Sequence, residues 1–387
     1  MKLKRTSQIL SAFILLFVMG SWAPDHEMLP MEEDENMHLK MSKQRVRIAL
    51  LLDTSNSMDG LINQAKAQLW DIVNEFTYAR CGNQERPRLE IALYQYGNDN
   101  LSSREGYIQQ VIGFSSDLDE ISERLFSLNT NGGEEYCGQV IHTSLKQLDW
   151  GRNPDDLKMI FIAGNEPFTQ GKLDYRDAAS QAKEKDVVVN TIFCGDYHQG
   201  VQTQWQKGAL LTGGEYMAID HNKHVVQIVT PFDDIIIQLN AKLNKTYIAY
   251  GTRGAYKSAA QVAQDDNAME MEEAVAVKRA VSKSSRLYNN SSWDLVDASE
   301  ERDFDLGKID KKGLPPALQQ KSEAQLEAYI KEKKRDRSKI QEEIQTLNAK
   351  REVYISQQQD QQKGELENAM LNAIKKQASK KNYTWDK

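Results

Sequence analysis

The feature that most constrains the fold is a repeated alternation of buried strands and amphipathic helices between Arg45 and about Asp220. The stretch VRIALLLD, which ends at Asp53, is a continuous apolar run typical of a strand buried on both faces. The segment after it places Leu61, Ala65 and Leu69 on one stripe of a helix. Strands that alternate with helices imply right-handed crossovers. The pattern therefore predicts an α/β fold, a doubly wound and mainly parallel sheet with helices on both faces.

Three small oxygen-bearing side chains stand where the first predicted strand ends. Asp53 closes the strand, and Ser55 and Ser57 follow at intervals of two residues. Ligands of doubly wound sheets bind at the carboxyl ends of the strands, and hard cations such as Mg²⁺ prefer oxygen ligands. Two interpretations stay open from the residues alone: half of a divalent-metal site, or a polar turn that caps the next helix.

This Asp-x-Ser-x-Ser motif, between a buried strand and an amphipathic helix, resembles the start of the metal-ion-dependent adhesion site (MIDAS) of the von Willebrand factor type A (VWA) domain. The resemblance covers roughly residues 44–240 and continues in LFSLNTNGGEEYCGQVI, VVVNTIFCGD and LLTGGEYMAI. It implies a VWA fold in an exported protein of bacterial type. It also implies metal-assisted binding of a protein partner whose Asp or Glu completes the coordination of the cation.

The resemblance maps less completely onto the remaining ligands. The family's threonine falls at Glu134, with Thr130 as a second candidate, and the family's second aspartate falls at Gly164, which Asn165 and Glu166 follow. The expected cation is Mg²⁺, with Mn²⁺ or Ca²⁺ as alternatives. The predicted metal ligands are Asp53, Ser55, Ser57 and Glu134, and the additional candidates are Thr130, Asn165 and Glu166.

Two functions remain open, and neither is enzymatic. One is metal-dependent protein binding, in adhesion or assembly. The other is a structural scaffold with a degenerate, metal-free site that acts through its helical C-terminal region. No G-x-S-x-G, phosphate loop or G-x-G-x-x-G follows a strand, and the pair His221 and His224 has no third metal ligand nearby. The formal net charge of −7 gives no reason to expect a nucleic-acid partner.

The cysteines leave two alternatives. Cys137 opens the helix after the second predicted loop of the site, and Cys194 ends a strand, so both are expected at the same edge of the sheet. A disulfide between them is permissible in an exported protein. Two buried free thiols fit the sequence equally well.

The N-terminus predicts export. Residues 1–23 combine Lys2, Lys4 and Arg5 with the apolar run ILSAFILLFVMG, as in a signal peptide. Residues 24–43 are acidic and aperiodic, which predicts a flexible leader. The expected location is the periplasm, the cell surface or the medium, with a membrane contact only if the signal segment stays uncleaved.

The C-terminal third changes character. A VWA-like domain is predicted over 44–240, a mixed linker and helical segment over 241–315, and an α-helical region over 316–387. Apolar and basic residues alternate there at intervals of three and four, a pattern in which three of nine seam positions are basic. Such a helix packs on its neighbours or supports weak self-association. The nine seam residues are Leu326, Ile330, Lys333, Arg337, Ile340, Ile344, Leu347, Arg351 and Tyr354.

Overall fold

The computed structural model describes residues 44–82, 84–220, 228–358 and 365–385. Residues 43–387 form one compact unit. The predicted signal peptide (1–23), the predicted leader (24–43) and the pair His221 and His224 lie outside the described residues. In the part of the chain that is described, no helix is both long and apolar enough to cross a membrane.

A six-stranded sheet forms the centre of the unit and confirms the predicted fold class. In chain order the strands are β1 (Arg45–Asp53), β2 (Ala79–Arg80), β3 (Arg88–Tyr96), β4 (Ile108–Ser115), β5 (Leu157–Gly164), β6 (Val188–Cys194), β7 (Tyr216–Ile219) and β8 (Thr384–Trp385). The central sheet has the order β4-β3-β1-β5-β6-β7, and β2 pairs with β8 in a small second sheet. All neighbours in the central sheet are parallel except the edge strand β4, which runs antiparallel to β3.

Helices cover both faces of this sheet. They are α1 (Asp59–Thr77), α2 (Leu118–Phe126), α3 (Cys137–Gln147), α4 (Tyr175–Glu184), α5 (Tyr197–Gln202), α6 (Trp205–Leu210), α7 (Asp233–Asn244), α8 (Gly254–Met271), α9 (Glu273–Lys283), α10 (Leu295–Ala298), α11 (Pro316–Gln319), α12 (Glu323–Gln358) and α13 (Glu365–Ser379). Alternate residues of β1 serve the two layers, as the two-residue period of a strand requires. Ile48 and Leu50 pack with α1 and α13, whereas Ala49 and Leu51 pack with α3 and α4.

The last helix of the chain forms part of the wall of this core. Ile374 of α13 is fully buried in the same cluster as β1 and α1. Asn190 of β6 and Gln377 of α13 exchange two side-chain hydrogen bonds, at 3.3 and 2.5 Å, in a buried pair. Strand β8 then pairs with β2 directly after α1. The C-terminal region is thus integrated with the sheet.

The long helix α12 packs within the chain, which is the first of the two arrangements expected of its seam. Five seam positions are buried: Leu326, Ile330, Arg337, Ile344 and Arg351. The helix contacts α7, α9 and α10. In the segment predicted as mixed, the chain breaks between α8 and α9 at Glu272, whose φ of −170° is extended.

Candidate metal centre

Asp53 lies at the edge of the sheet where β1 and its two parallel neighbours, β3 and β5, end. It pairs in register with Tyr96 of β3, while Leu52 pairs with Ala163 of β5. The Asp53 side chain is fully buried. Its Oδ1 accepts a hydrogen bond from the backbone N–H of Ser55 at 2.7 Å. Its Oδ2 is buried and has no hydrogen-bond partner, so one oxygen is fixed by the turn and the other is available.

The second carboxylate at this edge is Glu135, one residue beyond the predicted ligand Glu134. Glu135 is 3% exposed, and its Oε2 is buried without a hydrogen-bond partner. Glu134 is exposed and accepts a hydrogen bond from Gln170 Nε2 at 3.0 Å. The structure therefore brings Glu135 beside Asp53, and it places the predicted ligand Glu134 at the surface with Gln170.

Burial and proximity raise the pKa of both carboxyl groups. The pKa of Asp53 lies well above its usual value, first because of burial and then because of Glu135 beside it. Burial also raises the pKa of Glu135, while the neighbouring Asp53, Ser55 and the backbone N–H of Glu166 act in the opposite direction. Among the described residues, no Lys, Arg or His forms an ion pair with either carboxylate. The pair is thus two buried acids without a countercharge.

Two glycines give this pair its room. Gly97, directly after β3, has φ of 75°, which favours glycine. A Cβ atom there would lie 2.7 Å from Glu135 Cγ and 2.9 Å from Asp53 Oδ1. A Cβ atom at Gly164 would lie only 2.5 Å from the Tyr96 hydroxyl oxygen. The position at which the resemblance places a second aspartate therefore has no space for a side chain.

The five other predicted residues have different roles. Ser55 is buried, and its hydroxyl oxygen has no hydrogen-bond partner. Ser57 is exposed and accepts a hydrogen bond from Asn165 Nδ2 at 3.1 Å, while Asn165 Oδ1 is buried and unpartnered. Thr130 donates to Asp59 Oδ1 at 2.5 Å. The exposed Glu166 contributes its backbone, because its carbonyl accepts from Trp205 Nε1 at 2.8 Å.

Comparison with known proteins identifies the region that carries this site. The sequence pattern of the von Willebrand factor type A domain family matches residues 48–206. Those residues are a VWA domain. No curated protein matches the chain significantly.

Solved structures similar to this chain come from bacteria and from a mussel. BatB from Bacteroides thetaiotaomicron, a conserved hypothetical protein, is 16% identical over 45% of this chain and 90% of its own, with a TM-score of 0.34. A von Willebrand factor type A structure from Catenulispora acidiphila is 14% identical over 46% of this chain and 39% of its own, with a TM-score of 0.33. Proximal thread matrix protein 1 from the mussel byssus, with a zinc-occupied MIDAS motif, is 13% identical over 47% of this chain and 43% of its own, with a TM-score of 0.34.

The cysteines of the VWA domain are free thiols. Cys137 and Cys194 are both buried, and no disulfide joins them. The structure therefore has the alternative of two buried free thiols. Burial raises the pKa of both thiols well above the usual value, and the charge of Asp53 contributes. Because metal binding needs a thiolate, these protonated sulfurs leave the oxygens as the donors of the site.

The oxygens of this site fit a hard cation. Four buried oxygens without a hydrogen-bond partner belong to it, one each from Asp53, Ser55, Glu135 and Asn165. Buried polar atoms are nearly always paired in proteins, so a group of four at one edge indicates a ligand. Carboxylate, hydroxyl and amide oxygens suit Mg²⁺, Mn²⁺ or Ca²⁺. No cluster of three or more His, Cys, Asp or Glu suited to a metal occurs in the described ranges, because this set mixes two acids with neutral donors.

Proposed function

We propose that the VWA domain binds a protein partner through a divalent cation held by Asp53, Ser55 and Glu135, with Asn165 beside them. The observation that carries this proposal is the group of unpartnered buried oxygens around two acids without a countercharge. A bound cation supplies positive charge and an open coordination position. VWA domains are typically interaction modules without enzymatic activity, and no step of catalysis is proposed.

The surrounding residues prepare the site for a cation. The Ser55 N–H fixes Asp53 Oδ1 at 2.7 Å, so the carboxyl group cannot rotate freely. Gly97 and Gly164 keep other side chains out of the space. Such preorganisation lowers the entropic cost of binding a small ion.

The partner's own group is the second part of the proposal. An Asp or Glu of the partner completes the coordination of the cation, and Mg²⁺ is the expected ion, with Mn²⁺ or Ca²⁺ as alternatives. Ser57, which is exposed and hydrogen-bonded to Asn165, lies where an approaching partner meets the site first. The predicted signal peptide supports export, and we place the interaction in the periplasm, at the cell surface or in the medium.

Calorimetric titration of Mg²⁺, Mn²⁺ and Ca²⁺ tests the cation, and two adjacent glutamates provide a matched pair of variants. Glu135→Gln removes a charge from the site without changing its shape, and we expect it to weaken binding at least tenfold. Glu134→Gln makes the same change at an exposed position and should leave affinity within twofold of wild type. No heat with any of the three ions, or equal losses in both variants, would contradict the proposed site.

A pull-down with and without EDTA tests the partner. We expect a partner to be retained by the wild-type chain in Mg²⁺ and lost both in EDTA and with Asp53→Ala. Retention under all conditions would remove the cation from the mechanism.

The scaffold alternative requires the C-terminal helices to be available for other chains. The buried seam of α12 packs against α7, α9 and α10 of the same chain, so association through that face requires it to separate from them first. Sedimentation of the full chain distinguishes the two functions. A monomer that binds its partner favours the metal-dependent module, and stable oligomers that persist in EDTA favour the scaffold.

A further inference from the structure

A polar cavity lies elsewhere in the molecule and shares no lining residue with the candidate metal centre. It has a volume of about 240 Å³ and lies between the C-terminal end of α1, the turn after α9, and the middle of α12. The hydroxyl groups of Thr77, Tyr78 and Ser285 line it, together with Arg86 and Arg286. Pockets for drug-sized ligands span roughly 300–1,000 Å³, so this one suits a smaller molecule.

Arg286 is fixed in the wall of this cavity without a carboxylate partner. Its two Nη atoms donate to the carbonyls of Pro87 and Phe76 at 3.1 and 3.3 Å. Its Nε is buried and has no hydrogen-bond partner. These contacts hold the guanidinium in place but leave its charge without a counterion in the described residues.

Other buried arginines of this chain differ from Arg286. Arg47, Arg279, Arg337 and Arg351 each form an ion pair with at least one carboxylate, at distances from 2.6 to 3.4 Å. The half-buried Arg286 has only carbonyl partners. Among the described residues, these four arginines therefore have carboxylate partners and Arg286 has none.

A second arginine increases the local positive charge. Arg86 lines the same cavity, is exposed and forms no ion pair within the described ranges. Burial, and then the charges of Arg86 and Arg80, lower the pKa of Arg286 to about 10. A bound anion would relieve this repulsion, since charge-assisted hydrogen bonds from guanidinium to an oxyanion are among the strongest in proteins.

Tyr78 also lines the cavity and donates to Gln345 Oε1 at 3.2 Å. The pKa of Tyr78 is raised by burial and by the negative charges of Glu352 and Glu75. The two arginines therefore favour an anion, whereas the negative charges near Tyr78 do not.

We propose that the cavity between α1, α9 and α12 binds a small phosphate- or sulfate-type oxyanion, held by Arg86, Arg286 and the Ser285 hydroxyl. The Ser285 oxygen accepts from the Leu287 N–H at 3.3 Å, which leaves its own hydrogen for the ligand. The site joins the end of α1, which belongs to the VWA domain, to helices of the C-terminal region. An oxyanion bound there bridges the two. This proposal is independent of the metal centre.

Calorimetric titration of the full chain with inorganic phosphate, sulfate and glycerol 3-phosphate, at constant ionic strength, tests the site. Arg86→Ala removes an exposed side chain without structural partners, and we expect about a tenfold loss of affinity. Arg88→Ala is the matched control, because Arg88 is an exposed arginine two residues away and outside the cavity lining. It should change affinity less than twofold.

Ser285→Ala is the second variant and should weaken binding severalfold. Urea unfolding of each variant checks that the fold is retained. Tighter binding of glycerol 3-phosphate than of phosphate identifies a phosphate ester as the ligand, and equal binding identifies the free ion. The absence of binding by all three probes, or equal losses for Arg86→Ala and Arg88→Ala, would overturn the proposal.

Discussion

Buried carboxylates occur in two regions of this molecule, and the chain treats them in opposite ways. In the layer between the VWA domain and the C-terminal helices, Asp265 forms ion pairs with Arg279 Nε at 2.6 Å and with Lys283 Nζ at 2.7 Å. These charges hold the pKa of Asp265 far below its usual value. At the carboxyl edge of the sheet, Asp53 and Glu135 have raised pKa values and no such partner.

The difference shows what the sheet edge lacks. A buried acid without a countercharge is costly, and proteins relieve the cost with a cationic side chain, a proton or a metal ion. Where the fold needs only stability, this chain uses Arg and Lys, as Arg337 with Asp294 and Asp297 also shows. At the sheet edge no described Arg, Lys or His pairs with Asp53 or Glu135, so a proton or, in the proposed function, a divalent cation takes that role.

The largest expected effect tests the paired region. Arg337→Met removes the partner of two buried aspartates, and we expect the free energy of unfolding to fall by about 3–5 kcal/mol. Arg335→Met is the control on the same helix, since Arg335 is exposed, and its effect should stay within about 0.5 kcal/mol. Urea unfolding measures both. Equal effects would mean that the buried pair contributes no more than a surface charge.

The next effect tests the unpaired region. A saturating divalent cation at about one hundred times its dissociation constant should stabilise the wild-type chain by about 2.7 kcal/mol. Glu135→Gln, which should bind at least tenfold more weakly, is expected to reduce this gain to about 1.4 kcal/mol or less, and Glu134→Gln should keep it. Thermal unfolding with and without EDTA measures the shift, and a gain retained in full by Glu135→Gln would contradict the assignment.

A smaller effect, an increase in stability on substitution, is expected for the metal-free chain. Asp53→Asn keeps the oxygen that accepts from the Ser55 N–H and removes one of two adjacent buried charges. In EDTA at pH 7.5 we therefore expect this variant to be more stable than wild type by about 1 kcal/mol. Urea unfolding in EDTA checks it. A clear loss of stability would show that Asp53 already has a countercharge.

The smallest effect is a change with pH in the stability difference between Asp53→Asn and wild type in EDTA. Because the folded state raises the pKa of Asp53 and Glu135, folded wild type binds protons more readily than the unfolded chain. Its stability contribution from this pair is then gained as the pH falls through the raised folded-state pKa values towards the unfolded value near 4. The advantage of Asp53→Asn in EDTA should narrow between pH 8 and pH 5. A constant or widening gap would contradict the raised pKa values.

The sequence predicts the sheet and half of the site because both follow from strong local patterns. The apolar run that ends at Asp53 fixes β1, and the register of a parallel sheet brings its carboxyl end beside Tyr96. The loop before α3 is neither helix nor strand. It therefore has no periodic pattern that would distinguish Glu134 from Glu135 as the second acid. One signal could have found it. In an extended approach to α3, Glu135 shares a side with the buried Cys137, and Glu134 lies opposite.

The basic residues in the seam of α12 show why the rest could not be predicted. From spacing alone, Arg337 and Arg351 weaken an apolar stripe. In the structure both are buried because they form ion pairs with aspartates that are distant in sequence. These aspartates are Asp294 and Asp297 for Arg337, and Asp233 for Arg351. Pairing between such distant residues leaves no periodic signal. It becomes visible only after the chain has folded.

The placement of α13 and β8 has a consequence for the order of folding. The central sheet cannot complete its apolar wall until Ile374 has reached it, and β2 has no partner until Thr384 and Trp385 arrive. Synthesis must therefore reach about residue 385 before all of these contacts can form. Contacts of such long sequence separation slow folding, so the complete core forms late.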